Sequence, residues 1–124
     1  MAEKIVSFQQ LQAWQEAHKL VLQVYQATHN FPVEEKFGLT SQLRRAVVSV
    51  PANVAEGFKR RGQKDKLHFY NIAQASLEEV RYYFILALDL NYLADNSALL
   101  AQAETVSRLL YRLMASIESV DRKR

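Results

Sequence analysis

Cysteine is absent from this chain, and helix-breaking residues are scarce: 124 residues include two prolines and three glycines. Without cysteine there are no disulfides, no thiolate metal ligands and no cysteine nucleophile. Hydrophobic residues make up 49% and charged residues 23%, a composition that excludes a disordered chain. The length suits one domain with a core of its own. We therefore expect a single domain over residues 1–124.

Long apolar runs are also missing. The run at residues 84–88 stops at Asp89 and is far too short to cross a bilayer. The first ten residues contain neither an apolar core nor the small-residue pattern of a cleavage site, so we expect no signal peptide. These absences predict a cytoplasmic protein with no membrane partner.

The net charge of +3 is distributed unevenly. Residues 1–69 contain ten Lys and Arg against six Asp and Glu, whereas residues 70–124 contain six against seven. A local basic patch says more about partners than the overall charge does.

Apolar residues recur at helical spacing in four segments, which indicates four helices. Ser7 and Gln10 form a capping box before the first helix, and Thr40 is placed to cap the second. We expect the third helix over about residues 65–93 and the fourth from Ser97 to about Val120. Short links between the segments predict an all-α, antiparallel, up-down-up-down four-helix bundle. The fourth helix carries an unbroken heptad seam: Leu99, Ala103, Val106, Leu110, Leu113, Ile117 and Val120.

Pro51 lies inside the second apolar stripe. Proline removes one backbone hydrogen bond and costs about 3 kcal/mol in a helix interior. The apolar period continues on both sides, and no turn residues flank the proline. We therefore predict one helix, kinked at Pro51.

The third helix has more apolar surface than a small monomeric bundle requires. Besides its main stripe it carries a second set of large residues, and surplus apolar surface usually marks an interface. This set predicts a homo-oligomer: Phe69, Ile72, Tyr83, Leu86 and Leu90.

Polar residues at helical spacing form a line on each of the second and third helices. We interpret them as a hydrogen-bonded seam that fixes the pairing of these helices, in preference to a pocket with an acid and a base. An ion pair of Arg45 with Glu56 or Glu79 is the specific expectation. The seam comprises Arg45, Ser49, Asn53 and Glu56 on the second helix, and Ser76 and Glu79, followed by Tyr83, on the third.

Basic residues cluster where the second helix gives way to the third. Phosphate backbones bind such clusters by charge neutralisation, and Phe58, His68 and Phe69 are nearby planar groups on which a base could stack. The alternative is a solvated loop. The proposed nucleic-acid contacts are Arg44, Lys59, Arg60, Arg61, Lys64 and Lys66.

Catalytic and metal motifs are missing. Asp65 and His68 have the spacing of one carboxylate–histidine pair, but a di-iron bundle needs this pair twice. No phosphate loop, dinucleotide fingerprint or Ser-His-Asp set is present. We expect no enzyme, no metal and no cofactor. The terminal Arg122, Lys123 and Arg124 suit the negative end of a helix dipole, and a basic tail that touches RNA is the other interpretation.

Specific motifs support a family resemblance. They are Phe8, Leu11 and Ala13-Trp14-Gln15 with Ala17; Phe31-Pro32, Glu35 and Phe37-Gly38-Leu39; Gln42-Leu43-Arg44-Arg45-Ala46; Ser49-Val50; Ala52-Asn53-Val54-Ala55-Glu56-Gly57; and Ala73, Ser76 and Glu79. The chain resembles, over nearly its whole length, the bacterial four-helix-bundle proteins first noticed as reading frames inside intervening sequences of large-subunit rRNA genes. Ala75 departs from the pattern, because the family has glycine before the serine.

The resemblance implies a bundle that assembles into a ring-like homopentamer. It also implies a distant relation to the accessory variability proteins of diversity-generating retroelements, which are basic barrels that bind nucleic acid and a reverse transcriptase. No catalytic activity comes with it. Our leading hypothesis is therefore an oligomeric, non-enzymatic bundle that binds structured RNA or other nucleic acid. The alternative is a scaffold that docks a partner enzyme such as a reverse transcriptase.

Overall fold

The four apolar stripes become four α-helices in the computed structural model, which describes residues 4–122, with side chains to residue 119. Two short 3-10 helices, Phe8–Gln10 and Val33–Glu35, precede the first and second α-helices, and no strand occurs in this part of the chain. The all-helical prediction is confirmed. The α-helices are α1 Gln12–Thr28, α2 Leu39–Lys59, α3 Gln63–Asp89 and α4 Ser97–Arg122.

Each helix packs against two neighbours, so α1, α2, α3 and α4 form a closed square, and within residues 4–122 neither diagonal pair is in contact. This arrangement is that of a four-helix bundle, and the short links make consecutive helices antiparallel. The fully buried side chains come from all four helices and include Leu20, Val47, Tyr70, Phe84 and Leu110. No α-helix between residues 4 and 122 is long and apolar enough to cross a membrane.

The helix starts differ in detail from the prediction. The Ser7–Gln10 capping box forms, but it caps the 3-10 helix, and α1 begins only at Gln12. Thr40 does not cap α2, because it is buried inside the helix, which begins at Leu39. Glu35 takes that role: its carboxylate accepts the Leu39 N–H at 3.0 Å.

Glu35 also fastens α2 to the link after α3. Its second carboxylate oxygen accepts the Tyr92 hydroxyl at 2.8 Å. The bond from the Leu39 amide, followed by the one from Tyr92, lowers the pKa of Glu35, since both bonds favour the charged carboxylate.

Helix α2 runs without interruption through Pro51, which is buried. The prediction of one helix is confirmed, and the kink remains a prediction. Helix α3 ends at Asp89, about four residues earlier than expected. Its last turn closes through Leu90 and Asn91, and Asn91 takes the positive φ of 63° that asparagine tolerates.

The second apolar set of α3 is less exposed than the sequence suggests. Phe69 and Ile72 are half-buried, and Tyr83 and Leu86 pack against the core of the same chain. Most of these side chains therefore pack within a single chain. Of that set only Leu90, just after the end of α3, is exposed, and the exposed large apolar side chains of α3 itself are Tyr82 at 57% and Ile85 at 49%.

The basic tail lies largely outside the described residues. Lys123 and Arg124 are not among them, and the side chains of residues 120–122, including Val120 of the heptad seam and Arg122, are not described either. The interpretations of these side chains therefore remain predictions.

Gly57 permits a close approach of α3 to α2. A Cβ at this position would lie 2.6 Å from Cε1 of Tyr70, whose ring is fully buried, whereas a Cβ at Gly62 would meet nothing within 4 Å. We expect Gly57→Ala to lower the free energy of unfolding in urea denaturation. The overpacking costs roughly 1–3 kcal/mol and outweighs the gain of up to about 1 kcal/mol in helix propensity.

Gly62→Ala is the matched control, because it makes the same change at an open position. We expect it to alter the free energy of unfolding by less than about 1 kcal/mol. Equal stability of the two variants would contradict the proposed contact between Gly57 and Tyr70.

Candidate nucleic-acid interface

The corner between α2 and α3 presents three free cations. Lys59 is the last residue of α2, Arg61 lies in the link and Lys64 lies in the first turn of α3. All three are exposed, and none forms a hydrogen bond or ion pair with a described residue. We call Lys59, Arg61 and Lys64 the cationic corner.

Arg60 lies in the same link but is already engaged. Its Nη2 lies 3.2 Å from Oε2 of Glu56, and its guanidinium covers the ring of Phe69 at 4.4 Å. The pair is solvent-exposed, and such pairs contribute about 0–1 kcal/mol, so a phosphate could replace Glu56 at small cost. The Phe69 face, by contrast, is occupied by Arg60.

Lys66 has a structural role that the sequence did not reveal. Its ammonium donates to the carbonyl oxygens of Phe58 at 2.7 Å and Gly57 at 3.2 Å. The Phe58 carbonyl is among those left without a backbone partner at the end of a helix, whereas the Gly57 carbonyl also accepts the Arg60 N–H at 3.2 Å. Lys66 thus caps α2 from α3. Desolvation lowers the pKa of Lys66. Lys66 therefore stabilises the fold of the corner itself.

Arg44 lies far from the other five predicted contacts, because it is near the start of α2 and the corner is at its end. Its Nε donates to Thr28 Oγ1 at 2.9 Å, and its guanidinium covers the Tyr25 ring at 4.6 Å. Arg44 therefore ties α2 to α1 at the opposite end of the bundle.

Part of the predicted polar seam forms between α2 and α3. The hydroxyls of Ser49 and Ser76 lie 2.9 Å apart, and Asn53 Nδ2 donates to the carbonyl and hydroxyl oxygens of Ser49 at 2.8 and 2.9 Å. All three residues are half-buried. Because hydrogen bonds between partly buried groups need correct geometry, this cluster fixes the register of the two helices.

The charged members of the seam do not pair as expected. Glu56 pairs with Arg60, and Glu79 accepts the Tyr83 hydroxyl at 2.5 Å. Arg45 is exposed and has no hydrogen-bond or ion-pair partner among the described residues. The predicted ion pair of Arg45 with Glu56 or Glu79 is therefore wrong. The hydrogen bond to Glu79 raises the pKa of Tyr83 to about 12.

Helix α4 adds a polar groove beside the cationic corner that the sequence pattern missed. The groove has a volume of about 610 Å³ and lies between the start of α3 and the end of α4. The heptad pattern indicates only the inward stripe of α4, whereas the antiparallel topology brings its last turns beside Lys64. The lining residues are Gln63, Lys64, Leu67, His68, Asn71, Ile117 and Glu118.

A second groove, of about 550 Å³, lies at the opposite end of the bundle, between α1 and α2. We call it the aromatic groove. Seven of its eight lining residues lie between positions 36 and 48, and the pairing of α1 with α2 adds Tyr25. The lining residues are Tyr25, Lys36, Phe37, Thr40, Ser41, Arg44, Arg45 and Val48.

Metal-ligating side chains are dispersed over the bundle. Between residues 4 and 122, no group of three or more His, Asp or Glu side chains is placed to hold a metal ion. Asp65 and His68 thus have no third ligand in this part of the chain.

The four α-helices and their pairing place the chain among the all-helical four-helix-bundle proteins. The sequence model of a family described as 23S rRNA-intervening sequence protein matches residues 9–112. The chain belongs to this family, which confirms the resemblance seen in its motifs.

A solved structure shows the same fold. It is a crystal structure of a protein of unknown function from the S23 ribosomal protein family of Bacteroides thetaiotaomicron. The TM-score is 0.75 at 16% sequence identity, and the match covers 83% of this chain and 95% of that one. None of the curated protein sequences matches the chain.

The different roles of Lys66 and Lys64 lead to a prediction about stability. We expect Lys66→Ala to lower the free energy of unfolding by about 1 kcal/mol, because it removes charge-assisted hydrogen bonds that are partly screened by solvent. Lys64→Ala makes the same change at an exposed, unpaired lysine and should stay within about 0.5 kcal/mol of the parent. Urea denaturation of both variants tests this. A Lys66→Ala protein as stable as Lys64→Ala would show that Lys66 does not cap α2.

Proposed function

We propose that this protein is a non-enzymatic bundle that binds structured RNA through the cationic corner. The observation that carries the proposal is the set of three exposed, unpaired cations, Lys59, Arg61 and Lys64, in six consecutive residues of a helix–link–helix corner. The packing of Tyr70 on Gly57 and the Lys66 cap hold the two helix ends together. The three charges of the cationic corner are thus held by two helix ends that are fixed to each other.

Recognition at the corner rests on backbone phosphates. Lysine and arginine side chains that extend from a convex corner neutralise phosphates, and they carry little sequence information by doing so. The nearby aromatic face of Phe69 is covered by Arg60. The family description refers to an intervening sequence of 23S rRNA, which makes structured RNA the first polymer to test, ahead of DNA.

The corner makes a quantitative prediction for salt dependence. We expect the parent protein to bind a blunt-ended RNA duplex, with log affinity falling linearly against log salt concentration. The Lys59/Arg61/Lys64→Ala variant should show a shallower slope, by roughly 0.7–0.9 for each phosphate that is no longer neutralised. Fluorescence anisotropy across a salt series measures both slopes.

The control removes the same charge elsewhere. Lys19, Arg108 and Arg112 are exposed cations on α1 and α4 without a hydrogen-bond or ion-pair partner among the described residues, and a Lys19/Arg108/Arg112→Ala variant should keep the parent slope. Equal slopes for the two triple variants would show that net charge, and not the corner, drives binding. A parent protein that does not bind at low salt would overturn the proposal.

Self-association is the second part of the proposed function. Exposed apolar side chains lie on the outer faces of α1 and α3, among them Leu22, Tyr82 and Ile85, and exposed apolar surface favours association. We expect native mass spectrometry at micromolar concentration to show a homo-oligomer, and the family resemblance suggests five copies. A mass of 14.3 kDa alone would contradict this expectation.

A protein-docking scaffold is the other candidate, and the exposure of Tyr82 and Ile85 supports it. These residues are three positions apart and share one side of α3. The suggested relation to accessory variability proteins would make a reverse transcriptase the partner to try. Absence of RNA binding together with capture of such an enzyme, abolished in Tyr82→Ser/Ile85→Ser, would favour the scaffold.

A further inference from the structure

The aromatic groove has the chemistry of a nucleotide site, although none of its residues belongs to the cationic corner. It is bordered by the second half of α1, the turn before α2 and the first half of α2. Its volume of about 550 Å³ falls within the range of small-ligand sites.

Two aromatic rings line this groove, and they differ in their exposure and in how closely a cation covers them. Phe37 is 89% exposed, the highest value among the exposed large hydrophobic residues, and Tyr25 is 43% exposed. The ring of Tyr25 already carries the Arg44 guanidinium at 4.6 Å, whereas Phe37 has only the Lys36 ammonium at 5.5 Å from its centroid. The Phe37 ring therefore has open surface for stacking by a planar group.

The charge of the groove is of one sign. Lys36, Arg44 and Arg45 line it, and none of its described lining residues is acidic. The nearby Glu35 does not line the groove, because its carboxylate binds the Leu39 amide and the Tyr92 hydroxyl. Glu34 is exposed in the same turn and also lies outside the lining. An anionic ligand is therefore the complementary occupant.

The two arginines of the groove differ in whether they are already bonded to other side chains. Arg44 donates a hydrogen bond to Thr28 Oγ1 at 2.9 Å, and its guanidinium covers the ring of Tyr25. These contacts set its position before any ligand arrives. Arg45 is exposed and lacks a described partner, so its guanidinium is free to bind a phosphate in bidentate fashion.

We propose that the aromatic groove binds an unstacked nucleotide of single-stranded RNA. The base stacks on the exposed face of Phe37, and the adjoining phosphates pair with Arg45 and Lys36. Stacking on aromatic side chains and backbone neutralisation are the two contributions that single-strand sites combine. The inference rests on the proposed function for the choice of RNA, and it assigns a separate surface and a different form of that RNA.

A second copy of the chain fits the groove less well. Docking an apolar protein surface there would bury three cations away from water without a counter-charge, and such burial costs several kcal/mol per ion. An RNA strand brings its own phosphates and leaves the rim of the groove hydrated.

The test compares two RNA probes, a single-stranded hexa-adenylate and the blunt duplex. Phe37→Leu keeps an apolar side chain and removes the π face, and we expect it to weaken hexa-adenylate binding about tenfold, since base–aromatic stacking is of this order. Duplex binding should not change. Tyr111→Leu is the matched control, because Tyr111 is an exposed aromatic residue of α4 outside the groove.

A second variant follows the phosphate contact. Arg45→Gln should weaken hexa-adenylate binding and reduce the salt slope by roughly 0.7. Both variants alter exposed side chains, and circular dichroism measures whether they fold.

The outcomes separate the two sites. Hexa-adenylate binding that Phe37→Leu leaves unchanged overturns the groove site, and duplex binding then still supports the corner. Hexa-adenylate binding that depends on Phe37, with no duplex binding at all, supports the groove and removes the corner. A parent that binds neither probe overturns both. A Phe37→Leu protein with a smaller native mass overturns the groove site, because the groove is then a contact between copies.

Discussion

The contact between α2 and α3 is the constraint on which the rest of the molecule depends. The ring of Tyr70 lies where a side chain at residue 57 would have to be, so the helices approach closely only because that residue is glycine. The Ser49–Ser76 hydrogen bond sets their register, and Lys66 closes the end of α2 from α3. Each of these hydrogen bonds is worth about 1 kcal/mol, but together with the Gly57 contact they decide the direction in which the corner faces.

Six basic residues that look alike in the sequence divide into three kinds in the structure. Arg44 and Lys66 hold pairs of helices together through hydrogen bonds to neighbouring groups. Arg60 is engaged by one carboxylate and one ring at the surface. The third kind forms no hydrogen bond or ion pair with a described residue, and it comprises Lys59, Arg61 and Lys64. Only the last kind presents its full charge to a partner, so the distinction that matters for binding is whether a cation is already paired.

The sequence predicted the fold well because periodicity reports on burial, and burial decides helix packing. All four helices and the continuous path through Pro51 followed from it. The exact start of α2 was not predictable: Thr40 could have capped the helix, but α2 begins before it, where the Gly38 carbonyl accepts the Gln42 N–H and the Glu35 carboxylate accepts the Leu39 N–H. The predicted polar seam from Arg45 to Glu56 does not face α3 along its whole length, and the reason is geometric. Four-residue steps advance about 40° around a helix, so Arg45 lies on the exposed side while Ser49, one step further on, hydrogen-bonds to Ser76 of α3. The grooves required tertiary contacts that no spacing reveals.

Helix α2 carries both proposed RNA sites, Arg45 near its start and the cationic corner at its end. Lys59 of the cationic corner lies fourteen residues after Arg45, which corresponds to about 21 Å at 1.5 Å per residue. Because a single helix, buried along one face, joins Arg45 to Lys59, their separation is fixed. One RNA that contains a duplex and a flanking single strand of matching reach would engage both, and the second contact would then form at high effective concentration. A duplex or a single strand alone would lose that gain. The spacing of two weak sites on one rigid helix could therefore select an RNA by its architecture, without reading a base pair.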